Sequence, residues 1–179
     1  MKSCSHINFF RTRTSTNIRI VYRDLKPKNI GLDRDNNAKI YDFGLSKELR
    51  DEMKVKHEGG NEGCDKYMAT QNVGTPRYMA PEVHDGITYG LPVDIYSYSL
   101  VLWELMSLDV SFDDMSCFAD LASQVYTKKC RPAVNRHWPK EIKRLLQMGW
   151  HDDPSKRPEA MEFCDELQIC MRQRILSTF

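Results

Sequence analysis

Tyr22-Arg23-Asp24-Leu25-Lys26-Pro27-Lys28-Asn29 decides how this chain is read, together with Asp42-Phe43-Gly44 and Ala80-Pro81-Glu82 further along. The first stretch gathers a carboxylate (Asp24), two lysines (Lys26, Lys28) and a carboxamide (Asn29) around Pro27, whose ring fixes its own φ and stiffens the loop. Immediately downstream, Ile30–Leu32 and Ala38–Tyr41 read as short strands, and Asp33-Arg34-Asp35-Asn36-Asn37 supplies the turn between them. A hairpin of that size returns the chain to its start and brings Asp24 and Asp42 into one neighbourhood. Taken singly the pieces say little, since Asp-Phe-Gly is a three-letter coincidence and Arg-Asp-Leu-Lys-Pro suits many turns ahead of a strand. In this order and together they leave chance little room.

Outward from this core, the sequence turns polar after Leu45 and stays so to about Val73, with few apolar anchors, and reads as a long mobile loop. Within it, Gly59-Gly60-Asn61-Glu62-Gly63 has no strand leading in and no Lys-Ser/Thr helix following, so a flexible linker is expected rather than a phosphate-binding turn. Pro92 suits the first turn of a helix running to about Met106, where Ile95, Tyr98, Leu100, Val101, Leu102, Trp103 and Leu105 leave little polar face. Such a helix belongs in the interior. Further helices are expected around Cys117–Lys128, Lys140–Gly149 and Pro158–Arg172. The fold class is mainly α with a short β-hairpin.

The three ordered motifs resemble the catalytic half of a eukaryotic protein kinase. The resemblance runs from about Val21 to the C-terminus and implies that residues 21–179 form that family's C-terminal lobe, with the hairpin at its catalytic loop. From the family's His-Arg-Asp-x-x-x-x-Asn loop it implies that Asp24 accepts the proton of the attacking hydroxyl and that Lys26 sets a positive charge on the transferring phosphate of ATP. Asn29 and Asp42 are implied to hold Mg2+ against the phosphates. Gly74-Thr75-Pro76-Arg77-Tyr78-Met79-Ala80-Pro81-Glu82 resembles the family's substrate-docking loop, in which the hydroxyl matching Thr75 bonds to the base and the lysine after it. Glu82 is implied to pair with Arg157 of Pro154-Ser155-Lys156-Arg157-Pro158, and Asp94 to brace the catalytic loop from the buried helix. Without the family pattern these three would read as ordinary surface charges. Arg23, just ahead of the base, is implied to meet a phosphorylated residue of the loop, with Thr70 the first candidate and Ser46 and Tyr67 behind it.

Lys26-Pro27-Lys28 and Gly74-Thr75-Pro76 resemble serine/threonine rather than tyrosine kinases. Tyr96-Ser97-Tyr98-Ser99, Val101-Leu102-Trp103-Glu104-Leu105 and Trp138-Pro139 resemble the tyrosine-kinase-like group among them. The implied partners are ATP, Mg2+ and a protein carrying a Ser or Thr hydroxyl. Two departures stand against the pattern. Tyr22 occupies the family's His position, which packs behind the loop and transfers no proton. No glycine-rich phosphate loop, Val-Ala-Ile-Lys lysine or partner glutamate can be placed, because Lys2 is the one lysine ahead of the catalytic loop. An incomplete domain without its ATP-binding lobe is therefore expected, with apolar surface uncovered where upstream helices would pack on the long helix. The alternative is a truncated, inactive lobe acting as a protein-interaction module.

The bulk numbers are permissive. A chain of 179 residues suits one domain that buries about 70% of its unfolded surface. Its 26 basic and 25 acidic residues give no reason to expect nucleic acid or a membrane surface as partner, and no apolar run approaches the roughly 20 residues of a span. Six scattered cysteines (Cys4, Cys64, Cys117, Cys130, Cys164, Cys170) make no Cys-x-x-Cys pair, and His137 and His151 lack a ligand at useful spacing. Unpaired thiols, no metal cage and a cytoplasmic location are expected. Residues 1–20 contain Lys2, Arg11, Arg13 and Arg19 but no acid, a composition shared by transit peptides and by stray leaders; an irregular leader outside the domain is expected.

Overall fold

The structure, a computed structural model, describes residues 19–55, 65–70, 72–86, 88–115 and 117–176. Residues 1–18 of the expected leader, the glycine run at 59–63, Cys4 and Cys64 lie outside the described residues. In chain order the elements are β1 (Ile20–Val21), β2 (Ile30–Leu32), β3 (Ala38–Ile40), β4 (Lys47–Glu48), α1 (Pro81–His84) and α2 (Pro92–Ser107). They continue with α3 (Phe118–Leu121), which runs into a π-helical turn (Ala122–Thr127), then α4 (Lys140–Gly149) and α5 (Ala160–Leu176).

The axle of the lobe is α2. Pro92 opens it where a missing N–H costs nothing, and the eleven residues from Val93 to Trp103 are all buried. Its buried serine hydroxyls are satisfied, Ser99 Oγ donating to the Ile95 carbonyl at 2.8 Å and Ser97 Oγ to the Tyr78 carbonyl at 2.7 Å. Amphipathic α4 presents Ile142, Leu145 and Leu146 inward. It ends close against α2, since a Cβ on Gly149 would stand 1.9 Å from Ser99 Oγ and 2.8 Å from the Phe163 ring. From α5, Phe163 meets Tyr98 edge-on at 5.3 Å and completes the layer. Along the long helix the stretch from Val93 to Trp103 is covered, but Leu105 near its end is 67% exposed and Leu108 just beyond it 91%; Leu32, Tyr41 and Phe43 stand 64%, 51% and 62% exposed around the hairpin.

That hairpin pairs β2 antiparallel with β3, Ile30 facing Ile40. Asp33 Oδ1 accepts from the N–H groups of Asp35 and Asn37, both at 2.9 Å, and closes the turn. The second strand stops one residue short of the expected Tyr41, though the Tyr41 N–H still donates to the Asn29 carbonyl at 2.9 Å.

Three expectations need correction. The described residues of the segment after Leu45 are anchored rather than loose: β4 pairs with β1, Lys54 bridges to Tyr67 and Tyr67 to Tyr89, while Leu49 and Tyr67 are 3% and 1% exposed. Its anchors are single residues meeting distant partners, which no local pattern reveals. The helix expected over 117–128 is α3 plus the π turn, in which the Lys128 N–H bonds the Ser123 carbonyl five residues back at 3.0 Å. The last helix starts two residues late, past Pro158, and extends to Leu176.

Candidate active site

Asp94 reaches from the first turn of α2 to the backbone of the 22–29 loop. Its Oδ2 accepts from the Tyr22 N–H at 2.7 Å and its Oδ1 from the Arg23 N–H at 2.8 Å. Burial pushes this carboxyl up to about 6, while the two N–H bonds and the Arg23 charge pull the other way. The arrangement holds Arg23 at φ 70, left-handed backbone that a non-glycine residue adopts only when its surroundings impose it.

Asp24, the next residue, is turned inward and 7% exposed. Lys26 Nζ donates to its Oδ2 at 2.7 Å and Asn29 Nδ2 to the same oxygen at 3.1 Å. Thr75 gives its Oδ1 two bonds, from the hydroxyl at 2.7 Å and the backbone N–H at 3.0 Å. Lys26 Nζ also donates to Thr75 Oγ1 at 2.7 Å, closing a triangle, and Asn29 Nδ2 ties back to the Asp24 carbonyl at 2.9 Å. Burial alone would raise the Asp24 carboxyl, but the bonds from Lys26 and Thr75, the lysine charge and Asn29 outweigh it and hold it below the ordinary carboxylate value. The substrate-type loop reaches this close because residue 74 is glycine. It sits at φ 109, and a Cβ there would stand 2.3 Å from the Arg23 carbonyl oxygen.

Asp42 lies at the open end of the hairpin, just past the bond from Tyr41 N–H to the Asn29 carbonyl, at φ 59 and with an exposed carboxylate whose Oδ1 accepts from the Gly44 N–H at 3.3 Å. Tyr22 connects it to the loop: the hydroxyl donates to the Tyr41 carbonyl, and the ring stands edge-on to Phe43 at 5.4 Å. Burial first, then the charges of Asp24, Asp42 and Asp94, raise its phenol, with a hydrogen bond to Asn29 opposing. Tyr22 thus packs behind the loop with its proton held.

The Arg23 guanidinium donates to the Leu45 carbonyl at 2.6 Å and to the Tyr89 hydroxyl at 3.3 Å, and that hydroxyl donates to the Thr70 carbonyl. Arg23 and exposed Thr70 are therefore one tyrosine apart. Ser46 is half-buried, its hydroxyl without a partner among the described residues. Tyr67, expected as an alternative modification site, is corrected to a core residue; it is 1% exposed, its hydroxyl between Arg19 at 3.2 Å and Asp65 at 3.4 Å.

Glu82 and Arg157 meet as a bidentate pair, Nη1 to Oε1 at 2.6 Å and Nη2 to Oε2 at 2.8 Å, with side chains 9% and 0% exposed. Residues the sequence did not single out complete the frame of the 74–78 loop. Tyr78 donates to Glu104 Oε1 at 3.0 Å, Glu104 Oε1 also accepts from Ser111 N–H and Oγ, Arg77 Nη1 bonds the Ser111 carbonyl, and Tyr126 donates to the Pro76 carbonyl at 2.6 Å. Glu104 was visible only inside a subgroup motif, and Tyr126 lies in the π turn, where helical spacing gives no cue.

Among the described residues no three His, Cys, Asp or Glu side chains converge on a metal cage. Mg2+ asks for less, taking one or two side-chain oxygens plus phosphate oxygens and water. The exposed Asp42 carboxylate and the Asn29 carboxamide beside Asp24 are oxygen donors of that kind. An ionised, hydrogen-bonded carboxylate beside a lysine, with Asn29 bonded to it and Asp42 at the open end of the hairpin, does little covalent chemistry. Such a set is suited to positioning a hydroxyl and a highly charged phosphate, the arrangement that phosphoryl transfer calls for.

Comparison with known proteins carries this class to a family. The protein kinase domain matches residues 15–167, and the chain belongs to that family. It is 35% identical over 148 residues to a probable serine/threonine-protein kinase of Dictyostelium discoideum, covering 83% of this chain and 14% of that protein. It is 34% identical over 160 residues to the dual specificity protein kinase shkB of the same organism (89% and 22%). It is 35% identical over 153 residues to the serine/threonine-protein kinase TNNI3K of Rattus norvegicus (85% and 17%), in keeping with the tyrosine-kinase-like group. The chain thus spans less than a quarter of the length of each of these three.

Proposed function

We propose that this chain is the catalytic lobe of a protein kinase that transfers the γ-phosphoryl group of ATP to serine or threonine hydroxyls of a protein substrate. The observation that carries the reading is the Asp24–Lys26–Thr75 triangle, with all three contacts at 2.7 Å. It places an ionised acceptor, a cation and the docking loop on one spot. In this reading Asp24 takes the hydroxyl proton, Lys26 faces the transferring phosphate, and Asn29 and Asp42 would hold Mg2+, which when bound neutralises phosphate charge. Arg23 would receive a phosphate on Thr70, which is exposed and already joined to it through Tyr89. Thr70→Ala is expected to lower turnover, and an unchanged rate removes Thr70 from the proposal. A cytoplasmic site of action is part of the proposal; a fluorescently tagged chain found in an organelle would count against it.

The test is thermal unfolding with ATP and Mg2+, followed by phosphoamino-acid analysis of a modified protein. Ligand at about 100 times its dissociation constant is expected to stabilise the fold by about 2.7 kcal/mol. Phosphoserine and phosphothreonine without phosphotyrosine support the acceptor class. The exposed Leu32, Tyr41 and Phe43 side chains favour a second reading, an inactive lobe that binds other proteins. An absent ATP shift would turn the balance to it.

A further inference from the structure

The π turn at Ala122–Thr127 is a departure from helical geometry that needs a reason, and such turns are frequent at functional positions. Its visible consequence is the placement of Tyr126. The side chain is 7% exposed, its ring lies stacked on His84 at 4.0 Å with 22° between planes, and its hydroxyl donates to the Pro76 carbonyl at 2.6 Å. His84 closes α1, whose Glu82 is fixed by Arg157. Pro76 directly follows Thr75, whose hydroxyl and N–H rest on Asp24. One tyrosine therefore reaches from the far helix to the residue beside the Asp24 contact.

The rest of the loop shows why this bond matters. Pro76 has no N–H, so its carbonyl, which accepts from the Tyr126 hydroxyl at 2.6 Å and more loosely from the Met79 N–H at 3.2 Å, is its one backbone hydrogen-bonding group. Thr75 is fixed on the catalytic side, and Tyr78 is fixed by Glu104 through its hydroxyl and by Ser97 through its carbonyl. The stretch between these two anchors is closed by the turn bond from the Tyr78 N–H to the Thr75 carbonyl at 3.0 Å, and its ties to the rest of the fold are the Tyr126 bond and the link from Arg77 to Ser111. A regular α-helical turn would rotate residue 126 by the angle of the extra residue that the π turn absorbs and carry its hydroxyl away from Pro76.

We propose that Tyr126 is a positioning residue for the protein substrate: through Pro76 it sets the height of the 74–78 loop over Asp24, and the π turn exists to aim it. The proposal rests on the kinase reading above. It concerns the acceptor side of the site and leaves nucleotide binding untouched.

The experiment pairs Tyr126→Phe with Tyr96→Phe in the whole chain. Tyr96 is also buried, but its hydroxyl has no hydrogen-bond partner among the described residues, so its loss is the matched control. Hydrogen exchange is read at the amides of Gly74, Thr75, Arg77 and Tyr78, and kinetics are read with one serine peptide drawn from a degenerate peptide array. Losing one hydrogen bond, Tyr126→Phe is expected to speed exchange at those amides about three- to tenfold and to raise the peptide KM by a similar factor, with kcat and the ATP KM unchanged. Tyr96→Phe is expected to do neither. Wild-type behaviour of Tyr126→Phe, equal effects of both variants, or an ATP KM rising in step with the peptide KM would overturn the proposal. Were the chain to bind no ATP and transfer no phosphate, the proposed function would fall, while exchange at 74–78 would still uphold or overturn the positioning claim.

Discussion

Arg157→Ala is expected to cost about 3–5 kcal/mol of unfolding free energy, the largest single loss that the described packing predicts. The arginine does four things at once: it forks onto both Glu82 oxygens, donates Nε to the His151 carbonyl at 2.9 Å and Nη1 to the Pro92 carbonyl at 3.0 Å, and lies 5.2 Å from the Tyr96 ring centroid. Removing it strands the Glu82 carboxylate in the interior, and that stranded charge, more than the lost attraction, sets the size of the effect. In a fold of this size the melting temperature should fall by roughly 6–20 °C. The double variant Glu82→Met/Arg157→Met is therefore expected to be more stable than Arg157→Ala. Urea unfolding of both decides the point. A loss below about 1 kcal/mol for Arg157→Ala would mean that the pair is solvated and the buried lock is not formed.

Asp24→Asn is expected to reduce phosphoryl transfer by about 10²–10⁴ while leaving the fold in place. The amide retains an acceptor for Thr75, so the loop stays docked, but it cannot take the hydroxyl proton or balance the Lys26 charge. The pH behaviour separates this role from a structural one. The Asp24 pKa is depressed, so its contribution to stability is present above the ordinary carboxylate value and is lost as pH falls through the lower folded value. Its own titration therefore adds no limb to the rate profile near neutrality. Asp94, raised to about 6, has the opposite sign: the fold gains from its protonation below about pH 6, yet one of the two N–H bonds to the catalytic loop then loses its acceptor. An acid limb near pH 6 is expected in the wild type for that reason. Turnover of Asp24→Asn within a few-fold of wild type would end the assignment of Asp24 as base.

What was legible in the sequence was legible through local pattern. Lys140–Gly149 is read to the residue because Ile142, Leu145 and Leu146 recur at helical spacing, and the hairpin because its turn residues sit between two short apolar runs. The pairing of Glu82 with Arg157, 75 positions apart, was reachable only through the family resemblance, since nothing near either residue marks it as buried. The anchoring of Tyr67 by Tyr89 and the bond from Tyr126 to Pro76 escaped both routes. They depend on backbone brought together from distant positions and, for Tyr126, on a turn that breaks the period by which helices are recognised.

The brace from Asp94 to Tyr22 spans 72 positions and the lock from Arg157 to Glu82 another 75. Contacts so distant make assembly slow compared with a bundle of local helices. They also set an order during synthesis. At about 5–20 residues per second, a ribosome releases Asp24 roughly 7–27 seconds before Arg157 can follow. During that interval the 22–29 loop has no Glu82–Arg157 lock behind it, and for the first part no Asp94 beneath it. The nascent chain therefore carries the loop around Asp24 without the partners that shape it, and the apolar residues that later bury under that loop, Val21 and Leu25 among them, are what a chaperone would meet in that period.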